Sequence, residues 1–431
     1  MKQGQRLRLT IEKPAAGGRM IARHDGAVVL VSGAIPGETV EADVEKVQRG
    51  TGWARTVAVL EPSPDRVAPA VDVACGGNVF AFVAYPRQLV LKREIVRDGF
   101  TRIGRLSLPD DVPVHGSIVD GYRMRARLHV RHGRIGFFRE GTHDLCPLAG
   151  AGQLLPEAVA AIGRLEAALA AVPQAEVAEI ELAEDVEGRT RVCHLELAAE
   201  GNPAGLAALP PIEGLTGLSW SPAGAEGSLA LQGDPTVHDT IDCAVGERHA
   251  RVRLRRHARA FFQANRFLVT PLVNAVAARA GTGPVIDLYA GVGLFAAALV
   301  GLGWTSVTAV EGDPWSARDL EANAVTAGPA LGVAHQSVEA FVDGCGRVSP
   351  ETTVIVDPPR TGLSRDALAG ILGLGAGRLV YVSCDVATLA RDARAIVEAG
   401  YVLGPVELFD LFPNTAHIET VVTFTRDEPP R

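Results

Sequence analysis

The stretch VIDLYAGVGLF at residues 285–295, followed by SVTAVEGD at 306–313, decides the fold. The first segment is an apolar strand, and glycines at 291 and 293 follow it before a predicted helix. Such glycines let the backbone turn tightly and let a ligand approach closely. The second segment is an apolar strand that ends in Glu311, and an acidic side chain at this point is suited to bind ribose hydroxyls. The pair predicts a Rossmann-like, nucleoside-binding domain.

The C-terminal part of the chain continues this pattern. Strands alternate with helices of 10 to 15 residues from Phe267 onward, which predicts a doubly wound parallel sheet within a catalytic domain at 256–431. The glycine and acidic spacing alone would also suit a dinucleotide dehydrogenase. The segment VIVDPPRTGLS at 354–364 favours a methyltransferase instead, because the rigid turn after Asp357 fixes backbone carbonyls beside a reacting centre.

Two further regions precede the catalytic domain. Residues 1–60 contain four short alternating segments separated by glycine turns, which predicts a small β-barrel. A proline-rich linker follows, and residues 61–255 are expected to form a central α/β region. Within it we predict a helix at about 88–105, a hairpin at 122–140, and two alanine-rich helices between residues 150 and 250.

Composition limits the class of protein. The chain has 431 residues, is 47% hydrophobic and carries a net charge of -8, which indicates a folded chain of two or three domains. It shows neither the apolar core of a secretory signal nor a charge-free run of about 20 residues that could span a bilayer, so we expect a cytoplasmic protein without a membrane partner. Six dispersed cysteines do not suggest a disulfide scaffold.

Positive charge is nevertheless concentrated in two places. Because nucleic-acid binding depends on where the cations lie, these clusters favour an RNA partner, with ordinary solvated surface as the alternative. The clusters are Arg123, Arg125, Arg127, Arg131 and Arg134, and then Arg251, Arg253, Arg255, Arg256 and Arg259.

Cys384 and Glu419 are the candidate catalytic pair. Cys384 follows the buried strand LVYVS, at the end of a sheet strand where α/β enzymes place their chemistry, although a free cysteine can also be a small core residue. Glu419 stands among apolar residues of a late strand, where a carboxylate is either used or paired for structural reasons.

The chemistry of uracil explains why both groups would be required. Carbon 5 of uracil is a poor nucleophile, so a thiolate must first add to carbon 6 to make carbon 5 reactive towards a methyl donor. The adduct must then lose its carbon-5 proton to a general base before the thiolate can leave. A thiol and a carboxylate would divide these two roles.

The chain resembles the bacterial RNA uridine-5-methyltransferases that act on 23S ribosomal RNA and on the T-loop of transfer RNA. The resemblance covers nearly the whole chain and rests on six motifs in order: FFQANRF at 261–267, DLYAGVGLF at 287–295, VEGD at 310–313, DPPRTG at 357–362, YVSCDVATLARD at 381–392 and HIE at 417–419.

The resemblance implies roles for particular residues. Cys384 would be the nucleophile and Glu419 the base, and S-adenosylmethionine would be bound by Gln263, Tyr289, Glu311 and Asp357. The N-terminal barrel resembles a TRAM domain, which with the central region would bind RNA, while the target uridine would be flipped out of its stack. The resemblance also implies that the helix at about 88–105 packs on the catalytic domain. We expect a monomer that acts on 23S ribosomal RNA, with transfer RNA as the alternative.

The resemblance has two departures. Many relatives hold a four-iron, four-sulfur cluster on four cysteines, and thiolates are the ligands such clusters need. Here Cys75 and Cys146 occupy the second and fourth places, but Pro69 and Asn78 occupy the first and third, so we predict no iron-sulfur cluster and no other metal. The second departure is Ala290, where relatives often have cysteine, and we expect no effect on catalysis.

The sequence fits other functions less well. Cytosine-5 enzymes place their catalytic cysteine after the proline of the fourth motif, whereas DPPRTG at 357–362 contains no cysteine. Adenine-N6 enzymes end that motif in an aromatic residue, and this chain has Arg360 at that position. A small-molecule methyltransferase leaves the barrel and the arginine clusters unexplained. A non-catalytic RNA-binding assembly factor remains the alternative of a different class, and cofactor binding without turnover on RNA would favour it.

Overall fold

The computed structural model describes residues 1–426, which form an N-terminal barrel, a central seven-stranded sheet, a two-stranded hairpin and a C-terminal eight-stranded sheet. No helix in this part of the chain is both long and apolar enough to cross a membrane. Most helices and strands of the catalytic half are short and bury one face or both, as expected of a doubly wound sheet.

The N-terminal part is a closed five-stranded barrel with the strand order β1-β2-β3-β5-β4. Its strands are β1 (Arg6–Pro14), β2 (Met20–His24), β3 (Ala27–Ser32), β4 (Thr39–Gln48) and β5 (Thr51–Glu61). Alternation in β1 places Leu7, Leu9 and Ile11 inside the barrel, because neighbouring side chains of a strand point to opposite faces. The sequence predicted four strands, and it missed β2, a five-residue strand too short to show a clear alternation.

A helix then leads from the barrel to the catalytic domain. Helix α1 (Tyr85–Gly99) begins with proline in its first turn, where the missing amide is not needed. It continues as a π-helical turn, Phe100–Gly104, so the predicted helix at 88–105 begins three residues earlier than expected. Ile95, Val96 and Phe100 enter the same hydrophobic core as Leu389 and Ala390 of the C-terminal half. Strand β6 (Val114–His115) then joins the edge of the catalytic sheet.

The central part is a seven-stranded sheet with the order β13-β12-β11-β10-β7-β8-β9, covered by one α-helix. Its elements are β7 (Arg125–Arg131), β8 (Arg134–Phe138), β9 (Leu145–Pro147), α2 (Pro156–Leu169), β10 (Val177–Glu184), β11 (Arg191–Leu197), β12 (Gly217–Ser221) and β13 (Leu229–Gly233). Helix α2 is one of the two alanine-rich helices that the sequence predicts. The prediction of the other helix is wrong, because the second alanine-rich stretch forms only the short 3-10 turn Leu206–Ala208. Pro210 and Pro211 follow this turn and cannot donate to a continuing helix.

A two-stranded hairpin, β14 (Thr236–Val245) and β15 (Arg248–His257), connects the central and catalytic parts. Arg256 lies on its inner face, is 0% exposed and pairs with Asp239 at 2.7 Å. The expectation that Arg256 contributes to an RNA-binding surface is therefore wrong. Alternation in β15 leaves Arg251, Arg253 and Arg255 on the outer face.

The catalytic part contains an eight-stranded sheet with the order β18-β17-β16-β19-β20-β22-β21-β6. Its elements are α3 (Val269–Arg279), β16 (Val285–Leu288), α4 (Leu294–Gly301), β17 (Val307–Glu311), α5 (Pro314–Ala327), β18 (Leu331–His335), α6 (Val338–Cys345), β19 (Thr353–Val356), α7 (Arg365–Leu374), β20 (Arg378–Ser383), α8 (Val386–Glu398), β21 (Val402–Phe409) and β22 (Glu419–Thr425). Strands β16 to β20 are parallel, whereas β22 runs antiparallel to both β20 and β21. The predicted fold class is confirmed.

The barrel touches the catalytic part at Gly18, in the turn between β1 and β2. Gly18 has a φ of +84°, and a Cβ there would lie 2.6 Å from the Cβ of Ala416. Gly26, in the next barrel turn, has a φ of +78° but no neighbour within 4 Å of a Cβ. The two glycines therefore share a backbone conformation and differ in tertiary contact.

We predict that Gly18→Ala destabilises the protein more than Gly26→Ala does. Both substitutions force an L-residue into the left-handed region, at a cost of about 1–2 kcal/mol. Only Gly18→Ala also overpacks the contact with Ala416, which adds roughly 1–3 kcal/mol to the loss in free energy of unfolding. Urea denaturation of both variants measures the difference, and equal losses would contradict the contact between barrel and catalytic part.

Candidate active site

The candidate residues meet at one edge of the catalytic sheet. Tyr289, Asp357 and Cys384 directly follow β16, β19 and β20, and Glu311 is the last residue of β17. The carboxyl ends of neighbouring parallel strands lie along the same edge, which is where open α/β sheets bind their ligands. Glu419 comes to this edge by another route, because it is the first residue of the antiparallel strand β22, in which Thr420 pairs with Ser383 of β20.

A cavity of about 430 Å³ opens beside these strand ends, within the size range of small-molecule sites. Its wall comes from two parts of the chain. The catalytic part contributes Phe261, Tyr289, Glu311, Trp315, Asp357 and Pro358, and the central sheet contributes Arg127 and Glu181. A second, narrower pocket shares Phe261, Tyr289 and Asp357 with this cavity and is lined by Gln263 and Gly291. Four predicted ligand-binding residues therefore line two adjoining pockets.

Glu311 is held in place by the glycine loop that follows β16. Its carboxylate accepts hydrogen bonds from the backbone N–H of Gly291 and of Asp313, both at 2.7 Å. Each carboxylate oxygen keeps a free lone pair for another donor, such as a hydroxyl group of a ligand. Tyr289, just before the loop, has a φ of +60°, a conformation that costs free energy for a non-glycine residue and is commonly found at functional sites.

Asp357 and Asp287 lie on the other side of the glycine loop. Gln263 donates a hydrogen bond from Nε2 to Asp357 Oδ2 at 3.0 Å. Asp287 is 0% exposed and accepts from the backbone N–H of Ala296, while its Oδ1 has no hydrogen-bond partner among residues 1–426. A buried carboxylate oxygen without a partner is costly, so this arrangement indicates a site that a polar ligand completes.

The acidic groups of the site oppose one another's ionisation. Burial and the neighbouring charge of Asp357 raise the pKa of Asp287 to about 8. Burial likewise raises the pKa of Asp357 to about 7, although the hydrogen bond from Gln263 acts in the other direction. Burial raises the pKa of Glu311 as well. Because positive charge would lower all three pKa values, the pocket suits a cationic ligand.

Cys384 lies at the junction between β20 and α8. The next residue, Asp385, caps the helix by accepting a hydrogen bond from the backbone N–H of Thr388 at 2.8 Å. This cap fixes the turn on which the thiol stands. Burial, and then the charge of Glu419, raise the pKa of the Cys384 thiol to about 12, whereas the guanidinium of Arg360 lowers it. The thiol is partly exposed, while Cys193 and Cys243 are buried.

Glu419 is 3% exposed, and its Oε1 has no hydrogen-bond partner within the described chain, residues 1–426. Burial and the charge of Asp357 raise its pKa well above the ordinary value, and Arg360 again opposes the shift. A carboxyl group with free hydrogen-bonding capacity and a raised pKa is suited to exchange protons near neutral pH. Cys384 and Glu419 therefore place a thiol and a carboxyl group at the ends of neighbouring strands.

Two residues of the site were missed as functional candidates. Asp287 and Arg360 both stand within the motifs DLYAGVGLF and DPPRTG, but the sequence alone assigns neither residue a role in the site. Their relation to Cys384 and Glu419 depends on the sheet order, which a sequence does not display. Of the arginine clusters, Arg127 and Arg259 reach the cavity wall.

The residues at the expected cluster positions do not fit an iron-sulfur centre. Cys75 and Cys146 form a buried disulfide, with their Cα atoms 5.8 Å apart. Asn78 uses its side-chain amide to donate to the backbone carbonyls of Asp72 and Ala151, at 3.2 and 3.0 Å. Neither Asn78 nor Pro69 offers the thiolate that a four-iron cluster requires.

Comparisons with protein families agree with this architecture. A model of the TRAM domain matches residues 1–57, and a model described as tRNA (Uracil-5-)-methyltransferase matches residues 349–427. The second range contains Asp357, Arg360, Cys384 and Glu419.

Relatives and solved structures match over almost the whole chain. The chain is 32% identical to the 23S rRNA (uracil(1939)-C(5))-methyltransferase RlmD of Alkalilimnicola ehrlichii, over 95% of this chain and 94% of the relative. It is also 32% identical to the enzyme of the same name from Chromohalobacter salexigens, over 98% and 90% of the two chains. The fold is similar to that of the Pyrococcus abyssi tRNA (uracil-54, C5)-methyltransferase in complex with S-adenosyl-L-homocysteine, with a TM-score of 0.73, 23% identity and coverage of 97% and 99%. The chain therefore belongs to the family of RNA (uracil-5-)-methyltransferases.

Proposed function

We propose that this protein methylates carbon 5 of a uridine in structured RNA, with S-adenosylmethionine as the methyl donor, Cys384 as the nucleophile and Glu419 as the general base. The main support is the pairing of β20 with β22, which brings a thiol and a carboxyl group to the sheet edge at which Glu311 and Asp357 line a cavity of about 430 Å³. This is the combination of groups that uracil methylation requires.

The pockets beside these residues fit S-adenosylmethionine. Glu311 would accept hydrogen bonds from its ribose hydroxyls, while Gln263, Tyr289 and Asp357 would surround the methionine end. The unpartnered Oδ1 of Asp287 and the raised pKa values of Asp287 and Asp357 favour a ligand with positive charge. When bound, the cofactor supplies an electrophilic methyl group on a positively charged sulfur.

Cys384 begins the reaction on the uracil ring. Its thiolate adds to carbon 6, a carbon–sulfur bond forms, and the electron pair of the carbon 5–carbon 6 double bond moves onto carbon 5 and oxygen 4. Carbon 5 is then nucleophilic towards the methyl donor. Burial raises the pKa of the free thiol to about 12 although the positive charge of Arg360 acts in the opposite direction, so the thiolate fraction would depend both on Arg360 and on the positive charge of the methyl donor.

Glu419 completes the reaction. Its carboxylate takes the proton from methylated carbon 5, the electron pair restores the double bond, and the bond between carbon 6 and sulfur breaks to release the thiolate. A burial-raised pKa makes Glu419 a stronger base once it has lost its proton. Since Glu419 acts only after the adduct exists, losing it would stop the reaction at a covalent enzyme–RNA complex.

We propose 23S ribosomal RNA as the substrate, because the relatives with 32% identity over nearly the full length bear that name. Transfer RNA is the second candidate, since the family model and the structural neighbour are named for it. Carbon 5 is inaccessible in a stacked helix, so the target uridine would enter the site flipped out. We also propose that the protein acts as a monomer and that it acts in the cytoplasm.

The first prediction concerns the nucleophile. We expect the wild-type protein, incubated with tritiated S-adenosylmethionine and RNA from a strain that lacks its gene, to label 5-methyluridine in 23S ribosomal RNA. Cys384→Ala should abolish labelling, whereas Cys345→Ala, at an exposed free cysteine, should retain it. Nucleoside analysis of the separated RNAs reads out both results. Cofactor binding without labelling by the wild-type protein would instead support an assembly factor.

The second prediction concerns the base. Glu419→Gln should transfer the methyl group but fail to release the enzyme, because an amide cannot accept the carbon-5 proton. We expect a covalent protein–RNA band on a denaturing gel and turnover reduced by about 10²-fold or more. Normal turnover without such a band would show that another group removes the proton.

The third prediction concerns Arg360. Arg360 lowers the pKa of Cys384 and of Glu419, so Arg360→Leu should raise both pKa values. The reaction rate, which increases with pH as the thiolate forms, should then increase only at higher pH than in the wild-type protein. At neutral pH the single-turnover rate should fall about tenfold or more. Arg365→Leu, an exposed arginine in the first turn of α7, is the control and should keep the wild-type profile. An unshifted profile for Arg360→Leu would exclude this electrostatic role.

A further inference from the structure

The segment that carries Glu419 into the site is held by the N-terminal part of the chain. Residues 410–418, here called the base loop, connect β21 to β22 and end directly before Glu419. The loop has no regular secondary structure, so its position depends on contacts with its surroundings. Several of these contacts come from residues more than 300 positions away.

The main contact is an ion pair between Lys92 of α1 and Asp410, the first residue of the base loop. Lys92 Nζ lies 2.5 Å from Asp410 Oδ1 and 3.0 Å from the backbone carbonyl oxygen of Phe412, and the side chains of Lys92 and Asp410 are both 0% exposed. Tyr85, also in α1, donates from its hydroxyl to Asp410 Oδ2 at 2.9 Å. Helix α1 thus holds both ends of one short turn.

A second group of contacts holds the middle of the loop. The side-chain amide of Gln88 in α1 donates to Asn414 Oδ1 at 3.0 Å and accepts from the Asn414 backbone N–H at 3.0 Å. The backbone N–H of Phe80, in the segment before α1, donates to the Asn414 carbonyl at 2.8 Å. The barrel turn at Gly18 packs on Ala416. Barrel, linker and helix therefore all contact the base loop.

A buried ion pair is a poor way to increase stability alone. Removing two charges from water costs about as much as their attraction returns, and a well-packed apolar pair of similar size is often equally stable. Such a pair does fix geometry, since neither charge can leave its partner without a large penalty. Lys92 also reaches the site electrostatically, because its charge contributes to the low pKa of His417, two residues before Glu419.

We propose that Lys92 and Asp410 are positioning residues for the general base: their buried ion pair fixes the base loop and thereby sets where the Glu419 carboxylate stands relative to Cys384. This inference rests on the proposed roles of Cys384 and Glu419. It gives helix α1 a part in the release step, in addition to its place in the hydrophobic core.

The experiment measures two quantities for each variant with 23S ribosomal RNA: steady-state turnover, and the fraction of enzyme trapped as a covalent RNA adduct on a denaturing gel. Lys92→Met removes the charge and keeps an unbranched side chain of similar length. We expect its turnover to fall about tenfold or more while the adduct accumulates as in Glu419→Gln, because methyl transfer persists and proton removal is impaired. A general loss of folding would lower adduct and turnover together.

Two further variants make the result decisive. Arg66→Met breaks the Arg66–Glu38 pair (2.6 Å) between linker and barrel, and it should keep the wild-type ratio of adduct to turnover. Asn414→Gly removes the acceptor for Gln88 but tolerates the φ of +63° at that residue, and it should give a smaller rise in adduct. If Lys92→Met does not fold, Asp410→Asn takes its place with the same expected outcome, because it removes the charge that pairs with Lys92 and keeps the shape of the side chain.

The outcomes separate this inference from the proposed function. If the wild-type protein makes no 5-methyluridine, the proposed function fails. If the wild-type protein is active but neither Lys92→Met nor Asn414→Gly accumulates adduct beyond the Arg66→Met control, the proposed function stands and the positioning role of Lys92 is overturned.

Discussion

Repulsion between the half-buried carboxyl group of Asp357 and the buried carboxyl groups of Asp287 and Glu419 is the interaction on which the site depends. The sheet brings these groups together, and burial raises the pKa of each one. The same surroundings raise the pKa of the Cys384 thiol. Without a compensating cation, these surroundings favour the neutral forms of both the Cys384 thiol and the Glu419 carboxyl group.

This electrostatic arrangement links reactivity to binding. A cationic methyl donor beside Asp357 would relieve the repulsion and lower the pKa values of the neighbouring acids. The thiolate would then form mainly when the donor is present, which limits unproductive adducts with RNA. Arg360 supplies a permanent part of the same compensation, since it acts on both Cys384 and Glu419. Three features of the fold keep these charged groups in position: the pairing of β20 with β22, the capped start of α8, and the contacts of the base loop with the N-terminal part of the chain.

Much of the site could be predicted from the sequence because it follows strand ends. Glu311, Asp357 and Cys384 each stand where an apolar strand meets a turn, and the order of parallel strands brings such ends together. The sequence does not show that Cys384 and Glu419 lie close together, and only the chemistry of uracil methylation predicts it. The two residues become neighbours through the antiparallel pairing of Ser383 with Thr420.

Other features could not be predicted because they depend on tertiary packing. Lys92 and Asp410 are 318 positions apart, and nothing in either local sequence marks a buried pair. Arg256 stands among exposed arginines in the sequence, yet strand alternation turns it inward to Asp239. The disulfide between Cys75 and Cys146 likewise depends on how the linker segment meets β9.

The most direct test of the account uses 23S ribosomal RNA transcribed with 5-fluorouridine. Fluorine at carbon 5 cannot be removed as a proton, so an adduct that has accepted the methyl group cannot release its thiolate. After incubation with S-adenosylmethionine, nuclease and protease digestion followed by mass spectrometry would identify the modified peptide. The account predicts a methylated 5-fluorouridine nucleotide on the peptide that contains Cys384. An adduct on another cysteine, or no adduct from a protein that methylates ordinary RNA, would contradict it.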